Sequence, residues 1–279
     1  MALIKCIDCG NMISDSSEMC VHCGCPTKKS MSPIENFIIE NGKLIKYVGK
    51  SKDVIIPNGV VEIGCDAFYK SKGICSITIS ETVEKIESGA CAFSFCRMLK
   101  AFYVDKNNKN YCSIDGNLYN KSVKKLIAYA CAKKNKEVII PEGVEEIGNS
   151  AFRFNVNVYT VICPNTLEII GEDAFRSSRY LNRIEMKDGL KIIKQSAFRS
   201  CFLMMKIDIP KTVTTIEDNA LNFTNDTLFN IEQVKKSPCL ASSYLSEKER
   251  RSRFVVKGAV GGPAEEYAKR TGMKFEPID

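Results

Sequence analysis

Four lines of the sequence repeat one pattern: VIIPEGVEEIGNSAF (138–152), VICPNTLEIIGEDAF (161–175), IEMKDGLKIIKQSAF (184–198) and IDIPKTVTTIEDNAL (207–221). The same positions are aliphatic in every line. One such position is occupied by isoleucines that lie 23 residues apart: Ile147, Ile170, Ile193 and Ile216. A fixed period between 20 and 30 residues with aliphatic residues at constant offsets is typical of a solenoid. The sequence therefore predicts stacked coils in which these isoleucines form one interior column.

Two earlier lines follow the same pattern, VIIPNGVVEIGCDAF (54–68) and ITISETVEKIESGAC (77–91). In the second line, either Cys91 or, after a slip of two residues, Phe93 occupies the position of Phe68. The next coil contains an insertion, because Val104 and Ile140 are 36 residues apart, 13 more than one period.

The insertion contains CSIDGNLYNKSVKKLIAY (112–129), which resembles FIIENGKLIKYVG (37–49) at the start of the repeats. Each has a turn dipeptide, Asp115-Gly116 or Asn41-Gly42, between alternating apolar residues. Asn-Gly and Asp-Gly favour the positive φ angles of tight hairpin turns. Both stretches are predicted to be hairpins, and the first is predicted to cap the array.

Within one repeat, Val138 and Ile140 alternate with outward residues and predict a short strand that Pro141 ends. Ala151-Phe152 is predicted to lie on a short helical turn. Parallel strands from roughly seven coils, about 4.8 Å apart, predict one continuous sheet about 34 Å long. The segment AEEYAKR predicts a helix between Pro263 and Gly272, followed by a last strand.

The repeat pattern IxIPxxVxxIGxxAFxxC and the ending GxxAEEYAKxxGxKF resemble BspA-type leucine-rich repeat proteins over residues 37–279. The resemblance implies an α/β leucine-rich-repeat solenoid, right-handed, with a parallel β-sheet on the concave face and short helical turns on the convex face. Many members of that family are surface proteins that bind host or matrix proteins. This sequence differs from them because it begins with a cysteine-rich module and shows no export signal.

Residues 6–25, CIDCGNMISDSSEMCVHCGC, contain two CxxC pairs. Two thiolates three residues apart on a tight turn can reach one tetrahedral ion. Four cysteines close the coordination sphere, so a structural zinc is expected, bound by Cys6, Cys9, Cys20 and Cys23, with His22 and Cys25 outside the ligand set. The predicted organisation is a zinc ribbon (1–25), a linker (26–36) and the solenoid (37–279), with the hairpin insertion near 105–135 and a C-terminal cap at 237–279.

The residue types needed for common catalysis are missing. His22 is the only histidine and lies in the cysteine module, which excludes histidine-based triads and dyads. The stretches 59–64 and 143–148 have the glycine spacing of a phosphate loop but lack its Lys-Ser/Thr ending. The sequence therefore predicts that the protein is not an enzyme.

Composition indicates an ordinary globular protein. The 40 basic and 33 acidic residues give a net charge of +7, which is modest. The 14 cysteines show no disulfide framework, and no signal peptide or membrane-spanning run is present. We expect a cytoplasmic protein.

The strand positions that point outward are the predicted partner-binding residues. They begin as an apolar stripe and become charged along the array: Ile55, Ile139, Ile162, Arg183, Glu185, Lys206 and Asp208. The first hypothesis is a non-enzymatic protein-protein interaction scaffold. One alternative is a nucleic-acid-associated protein that uses the zinc ribbon or the basic cap at 248–253. Another is a surface adhesin exported by a non-standard route.

Overall fold

The computed structural model describes residues 3–5, 11–14, 20–22, 32–87, 89–221 and 247–278. The strands up to the insertion are β1 (Leu3–Lys5), β2 (Met12–Ser14), β3 (Phe37–Glu40), β4 (Lys43–Tyr47), β5 (Asp53–Ile55), β6 (Glu62–Ile63), β7 (Ser76–Ile79), β8 (Lys85–Ile86) and β9 (Ala101–Val104). The later strands are β10 (Tyr111–Ile114), β11 (Asn117–Asn120), β12 (Lys125–Ala128), β13 (Glu137–Ile139), β14 (Glu146–Ile147), β15 (Thr160–Ile162), β16 (Ile169–Ile170), β17 (Arg183–Glu185), β18 (Ile192–Ile193), β19 (Lys206–Asp208), β20 (Thr215–Ile216), β21 (Val255–Gly258) and β22 (Lys274–Pro277). Within the described residues, the helices are two 3₁₀ helices (Ile34–Asn36 and Gly89–Phe93), α1 (Glu247–Arg253) and α2 (Pro263–Thr271).

The first strand of each coil builds the surface that we call the strand face. Within the described residues it comprises nine strands: β5, β7, β9, β13, β15, β17, β19, β21 and β22. Within each of its sheets the strands are parallel and pair in register, so Val138 lies beside Val161, which lies beside Ile184. These middle residues point into the core, as the V-x-I pattern predicts.

A second parallel ladder follows the corner of each coil, where the sequence predicted only a turn. The two-residue strands β14, β16, β18 and β20 pair in register. They align Ile147, Ile170, Ile193 and Ile216 in one interior column, which confirms the predicted stacking. Gly148 lies so close to the preceding coil that a Cβ atom would lie 2.8 Å from the Leu126 carbonyl oxygen.

Aromatic rings stack through the interior with the same period. The ring centroids of Phe152 and Phe175 are 4.8 Å apart, and those of Phe175 and Phe198 are 5.2 Å apart. In the earlier coils Phe68 stacks on Phe93 at 5.8 Å. Phe93 therefore occupies the ring position through the slip of two residues, and Cys91 does not.

The inserted hairpin divides the solenoid into two blocks. Strands β10–β12 begin the ladder that continues through β14–β20, just as β3 and β4 begin the ladder of β6 and β8. Two separate cores result, one formed by buried residues from Phe37 to Ala130 and one by buried residues from Tyr119 to Met273. The insertion therefore acts as a second, internal cap.

The prediction of one continuous sheet is wrong, and the inserted hairpin causes the first of two interruptions. The strand face consists of three sheets of three strands: β5-β7-β9, β13-β15-β17 and β19-β21-β22. The chain leaves the strand face after β9 to form the hairpin, so β9 and β13 do not pair. A second interruption separates β17 from β19, although Ile184 and Ile207 keep the 23-residue spacing.

The segments after the corner are mainly hydrogen-bonded turns, so the prediction of short helical turns is too helical. Ala151 N–H, for example, donates to the Gly148 carbonyl at 3.2 Å. In the described chain, only Gly89–Phe93 forms a 3₁₀ helix at this position. The predicted C-terminal helix and last strand are present as α2 and β22, with Gly272 in the left-handed region at φ 71°.

Cysteines occupy the interior in two ways. Cys65 and Cys91 form a disulfide between the first two coils, which the spacing did not predict, with their Cα atoms 5.4 Å apart. Six other described cysteines of the solenoid are free thiols: Cys75, Cys96, Cys112, Cys131, Cys163 and Cys201. Of these, Cys96 and Cys201 each donate a hydrogen bond, 3.1 Å long, to the carbonyl of the phenylalanine in the preceding coil.

Candidate functional site

The middle sheet of the strand face carries four of the predicted partner-binding residues. Thr160 lies beside Arg183, and Ile139 lies beside Ile162, which lies beside Glu185. The Ile139 side chain is 68% exposed, whereas those of Ile162 and Glu185 are half-buried. Arg183 is exposed and forms an ion pair with Glu185 at 3.1 Å. One sheet therefore carries both an exposed isoleucine and a pair of opposite charges.

The three isoleucines of the predicted apolar stripe lie on two different sheets. Ile55 lies in the first sheet, where its neighbours along the ladder are Thr78 and Tyr103. Ile55 is half-buried, and its backbone N–H donates to Ser32 Oγ at 3.1 Å. Only Ile139 and Ile162 form a contiguous apolar pair, because the inserted hairpin separates the two sheets.

The third sheet carries the remaining predicted residues. Lys206 and Asp208 are both exposed, and Asp208 lies beside Lys257 in the ladder. Lys257 Nζ lies 2.9 Å from a Glu276 carboxylate oxygen. This hydrogen bond is the main cause of a raised Lys257 pKa, with a smaller contribution from the charge of Asp208. Asp208, Lys257 and Glu276 thus form one row of alternating charge across the third sheet.

A cleft of about 390 Å³ lies between the second and third sheets, where β17 and β19 do not pair. It brings together two exposed cations, Arg183 and Lys206. Asp208 also lines it, with the buried side chains of Ile184 and Ile207 below. Sequence reasoning found these residues but not the cleft, because the repeat spacing shows no irregularity there.

The N-terminal module contacts the first sheet. Ile13 and Cys20 are buried in a small cluster against which Tyr103 packs. His22 borders a cavity of about 610 Å³ that Tyr103 and Tyr111 also line. This module therefore covers part of the first sheet of the strand face.

The predicted zinc ligands can be assessed only at Cys20. Cys6, Cys9 and Cys23 lie outside the described residues. Cys20 Sγ accepts a hydrogen bond from the His22 backbone N–H at 3.4 Å. The turn that this bond closes belongs to the second CxxC pair.

Another cysteine cluster lies in the first block. Among the described residues, the donor atoms of Cys65, Asp66 and Cys91 lie within 4.8 Å of one another. Because Cys65 and Cys91 are joined in a disulfide, their sulfurs are not thiolates here.

The basic run at 248–253 is partly used in packing. The Arg250 side chain is buried, with Nη1 donating to the Phe202 carbonyl at 3.0 Å and the guanidinium 4.7 Å from the Phe202 ring centroid. Arg251 Nη1 donates to the Thr271 carbonyl at 3.2 Å. These two cations hold α1 against the solenoid.

The helices of the described chain are all too short or too polar to span a bilayer. Together with the ladders and the stacked interior, the 23-residue coil defines the class: a β-rich leucine-rich-repeat solenoid of about nine turns. The pattern of BspA type leucine-rich repeat regions matches residues 39–126 and 121–238 in six copies. The chain belongs to this family.

Two solved structures are similar to it. The pneumococcal vaccine antigen PcpA superposes with a TM-score of 0.53 at 22% identity, over 61% of this chain and 47% of PcpA. A leucine-rich cell surface protein from Faecalibacterium prausnitzii superposes with a TM-score of 0.54 at 21% identity, over 82% of this chain and 60% of that protein. The chain thus spans less than two thirds of either, and the likeness concerns the fold. No curated protein matches the sequence.

Proposed function

We propose that the protein is a non-enzymatic scaffold that binds a protein partner through the second and third sheets of its strand face. The observation that carries this proposal is the combination of exposed Ile139 with the cleft lined by Arg183 and Lys206. An exposed apolar residue beside a charged border resembles the core and rim of a protein interface.

The position of the N-terminal module supports this assignment. Because Ile13 and Cys20 pack on Tyr103, the first sheet is already partly occupied. Ile55 is half-buried and lies in that sheet, so it is left out of the proposed contact residues. Ile139, Ile162, Arg183, Glu185, Lys206 and Asp208 remain the proposed contact residues.

Affinity purification of the tagged protein from its native host tests this proposal. We expect co-purifying proteins that are lost from the Ile139→Asp variant and from the R183E/K206E double variant. Removing a central apolar contact or reversing rim charges each weakens an interface. The matched control is K134E/K187E, which makes the same change of charge at two exposed lysines outside the strand face. A partner set that is identical for all variants would exclude the strand face.

The N-terminal module is proposed to hold one structural zinc ion through Cys6, Cys9, Cys20 and Cys23. A module of about 25 residues cannot bury enough surface to fold alone, so metal binding would supply the folding free energy. Elemental analysis of freshly purified protein should give one zinc per chain, and well under one would exclude the site.

A cytoplasmic location remains our proposal; six solenoid cysteines that form no disulfide support it, whereas the Cys65–Cys91 disulfide is the one described feature of an oxidising environment. Fractionation of the native host tests it, and recovery on the cell surface would support the adhesin alternative. Salt-dependent binding of nucleic acid would support the other alternative. The packing of Arg250 and Arg251 leaves fewer cations at the basic cap for that role.

A further inference from the structure

A second surface lies on the turns that follow the buried Ala-Phe pair of each coil. We call it the turn row and define it by five segments: 69–73, 94–98, 153–157, 176–180 and 199–203. Phe93 and Phe152 precede the second and third segments. The row continues across the two blocks, because the rings of Phe95 and Phe154 have centroids 3.8 Å apart. The inserted hairpin thus interrupts the strand face but not this row.

The turn row is strongly cationic. Its segments contain seven basic residues and no acidic one: Lys70, Lys72, Arg97, Arg153, Arg176, Arg179 and Arg199. Like charges are crowded there, since burial and, to a smaller extent, the charge of Arg97 lower the pKa of Arg179 to about 10. Asp173, which precedes the fourth segment, lies 3.6 Å from Arg153 and 3.0 Å from Arg176. Arg179 is buried, so the exposed cations of the row are Lys70, Lys72 and Arg97, which lie on its first two segments.

Aromatic rings hold several of these cations in place. Lys70 Nζ is 4.9 Å from the Tyr69 ring centroid and 5.9 Å from that of Phe95. The Arg97 guanidinium is 5.6 Å from the Phe95 ring, and that of Arg153 is 5.0 Å from the Phe154 ring. Cation–π contacts restrict the side chains and lower the entropy lost when they bind an anion.

We propose that the turn row binds an extended acidic segment of a protein partner. Guanidinium groups pair with carboxylates in a planar, bidentate geometry. Two neighbouring coils about 4.8 Å apart present the exposed cations, and one extended segment of a few residues can contact both. Exposed Met98 and Val156 lie within the row and offer contacts to apolar side chains between the acidic ones.

Single-stranded nucleic acid fits this surface less well. Base stacking needs accessible ring faces. Tyr69, Phe95 and Phe154 pack against one another, with centroids 5.4 Å and 3.8 Å apart, and carry cations on their faces. Phe154 is also buried. Charge and shape thus favour a carboxylate-rich peptide.

Fluorescence anisotropy with the full-length protein tests the proposal. The probe is a labelled twelve-residue peptide of repeated Glu-Glu-Leu, and the comparison probes are its Glu→Gln version and a twelve-residue oligo-dT. We expect the acidic peptide to bind at low salt, the glutamine version to bind at least tenfold more weakly, and oligo-dT to bind no better than the acidic peptide.

The variant K70E/K72E/R97E changes three exposed residues of the row and should weaken binding of the acidic peptide at least tenfold. The matched control K134E/K187E/K211E makes the same change of charge at exposed lysines outside the row and should weaken it less than threefold. Equal weakening by both variants, tighter binding of oligo-dT, or no binding of the acidic peptide would each overturn the proposal. The strand-face proposal is unaffected by any of these outcomes, because its variants alter other residues.

Discussion

A single hydrogen bond explains why cysteine recurs in the interior. Cys201 Sγ donates to the Phe175 carbonyl at 3.1 Å, and Ser178 Oγ makes the equivalent bond to the Phe152 carbonyl at 2.6 Å. The position thus needs a small donor that reaches back by one coil. Cysteine supplies that donor at a low desolvation cost, because its thiol is only weakly polar.

Two substitutions of Cys201 should separate the contribution of its hydrogen bond to stability from that of its side-chain volume. Cys201→Ala leaves a buried carbonyl without this donor, and we expect a loss of about 1–3 kcal/mol in the free energy of unfolding. Cys201→Ser keeps the donor, as at Ser178, and should cost less than the alanine variant. Urea unfolding measures both variants, and an equal loss would show that the hydrogen bond contributes nothing.

Buried thiols should also make the stability depend on pH. Burial raises the pKa of Cys96 to about 12 and that of Cys201 still further. In the unfolded chain a thiol ionises near pH 8.5, so above this value the unfolded state loses protons that the native state keeps. The stabilisation is complete below about pH 8.5 and is lost as the pH rises towards 12.

The corresponding measurement is urea unfolding at pH 7 and pH 10 in the presence of a reductant. Each thiol should reduce the free energy of unfolding by about 2 kcal/mol between these pH values. The C96S/C201S variant lacks both thiols. Between pH 7 and pH 10 its free energy of unfolding should fall by about 4 kcal/mol less than that of the parent. Tyrosines and lysines are common to both proteins, so parallel pH curves for the two would contradict the prediction.

At the scale of elements, the sequence predicted local structure better than the connections between sheets. The strand of each coil, both hairpins and the helix from Pro263 follow from alternation, turn dipeptides and capping residues. These signals are local. The division of the strand face depends on where the inserted hairpin packs, and the opening between β17 and β19 has no counterpart in the spacing.

The same limit applied to the candidate site. Outward positions such as Ile139 and Arg183 could be read from the period, because each strand alternates. Their grouping could not be read, since Ile55 belongs to a sheet beyond the insertion. The turn row was also missed, although its excess of basic residues was visible in the sequence once the repeats were aligned.

The internal hairpin should allow the second block to fold without the first. Leu126 of β12 pairs in the ladder with Ile147, and Tyr129 stacks on Phe152 with ring centroids 4.7 Å apart. These contacts cover the end of the second core as β3 and β4 cover the first. Solenoids need such terminal caps.

Two fragments test this prediction by circular dichroism and thermal unfolding. The fragment 106–279 keeps the hairpin and should unfold cooperatively, at a lower temperature than the full chain because it exposes Ile127 and Ala128, which pack into the first core. The fragment 137–279 lacks the hairpin and should show no cooperative transition. Similar unfolding of both fragments would refute the role of the hairpin as a cap.

At the scale of the whole molecule, the described residues of the N-terminal module contact the solenoid at its first sheet. Ile13 and Cys20 form a cluster of their own, and Tyr103 is the described residue of the solenoid that packs against it. Neither large core includes residues before Phe37. Removing the proposed zinc should therefore unfold the module while the solenoid keeps its structure.

Thermal unfolding with and without a strong chelator, combined with limited proteolysis, measures this separation. Chelation should make the first 25 or so residues protease-sensitive. It should lower the midpoint temperature of the main unfolding transition by no more than about 2–4 °C. A shift of that size corresponds to a loss of roughly 1 kcal/mol in the free energy of unfolding of a domain of this size. Cys6→Ser, which removes a proposed ligand, should reproduce both results without chelator, whereas Cys75→Ser, at a half-buried free thiol of the solenoid, should leave the module protected. Loss of the main transition on chelation would instead mean that the metal stabilises the whole molecule, because neither large core includes Ile13 or Cys20.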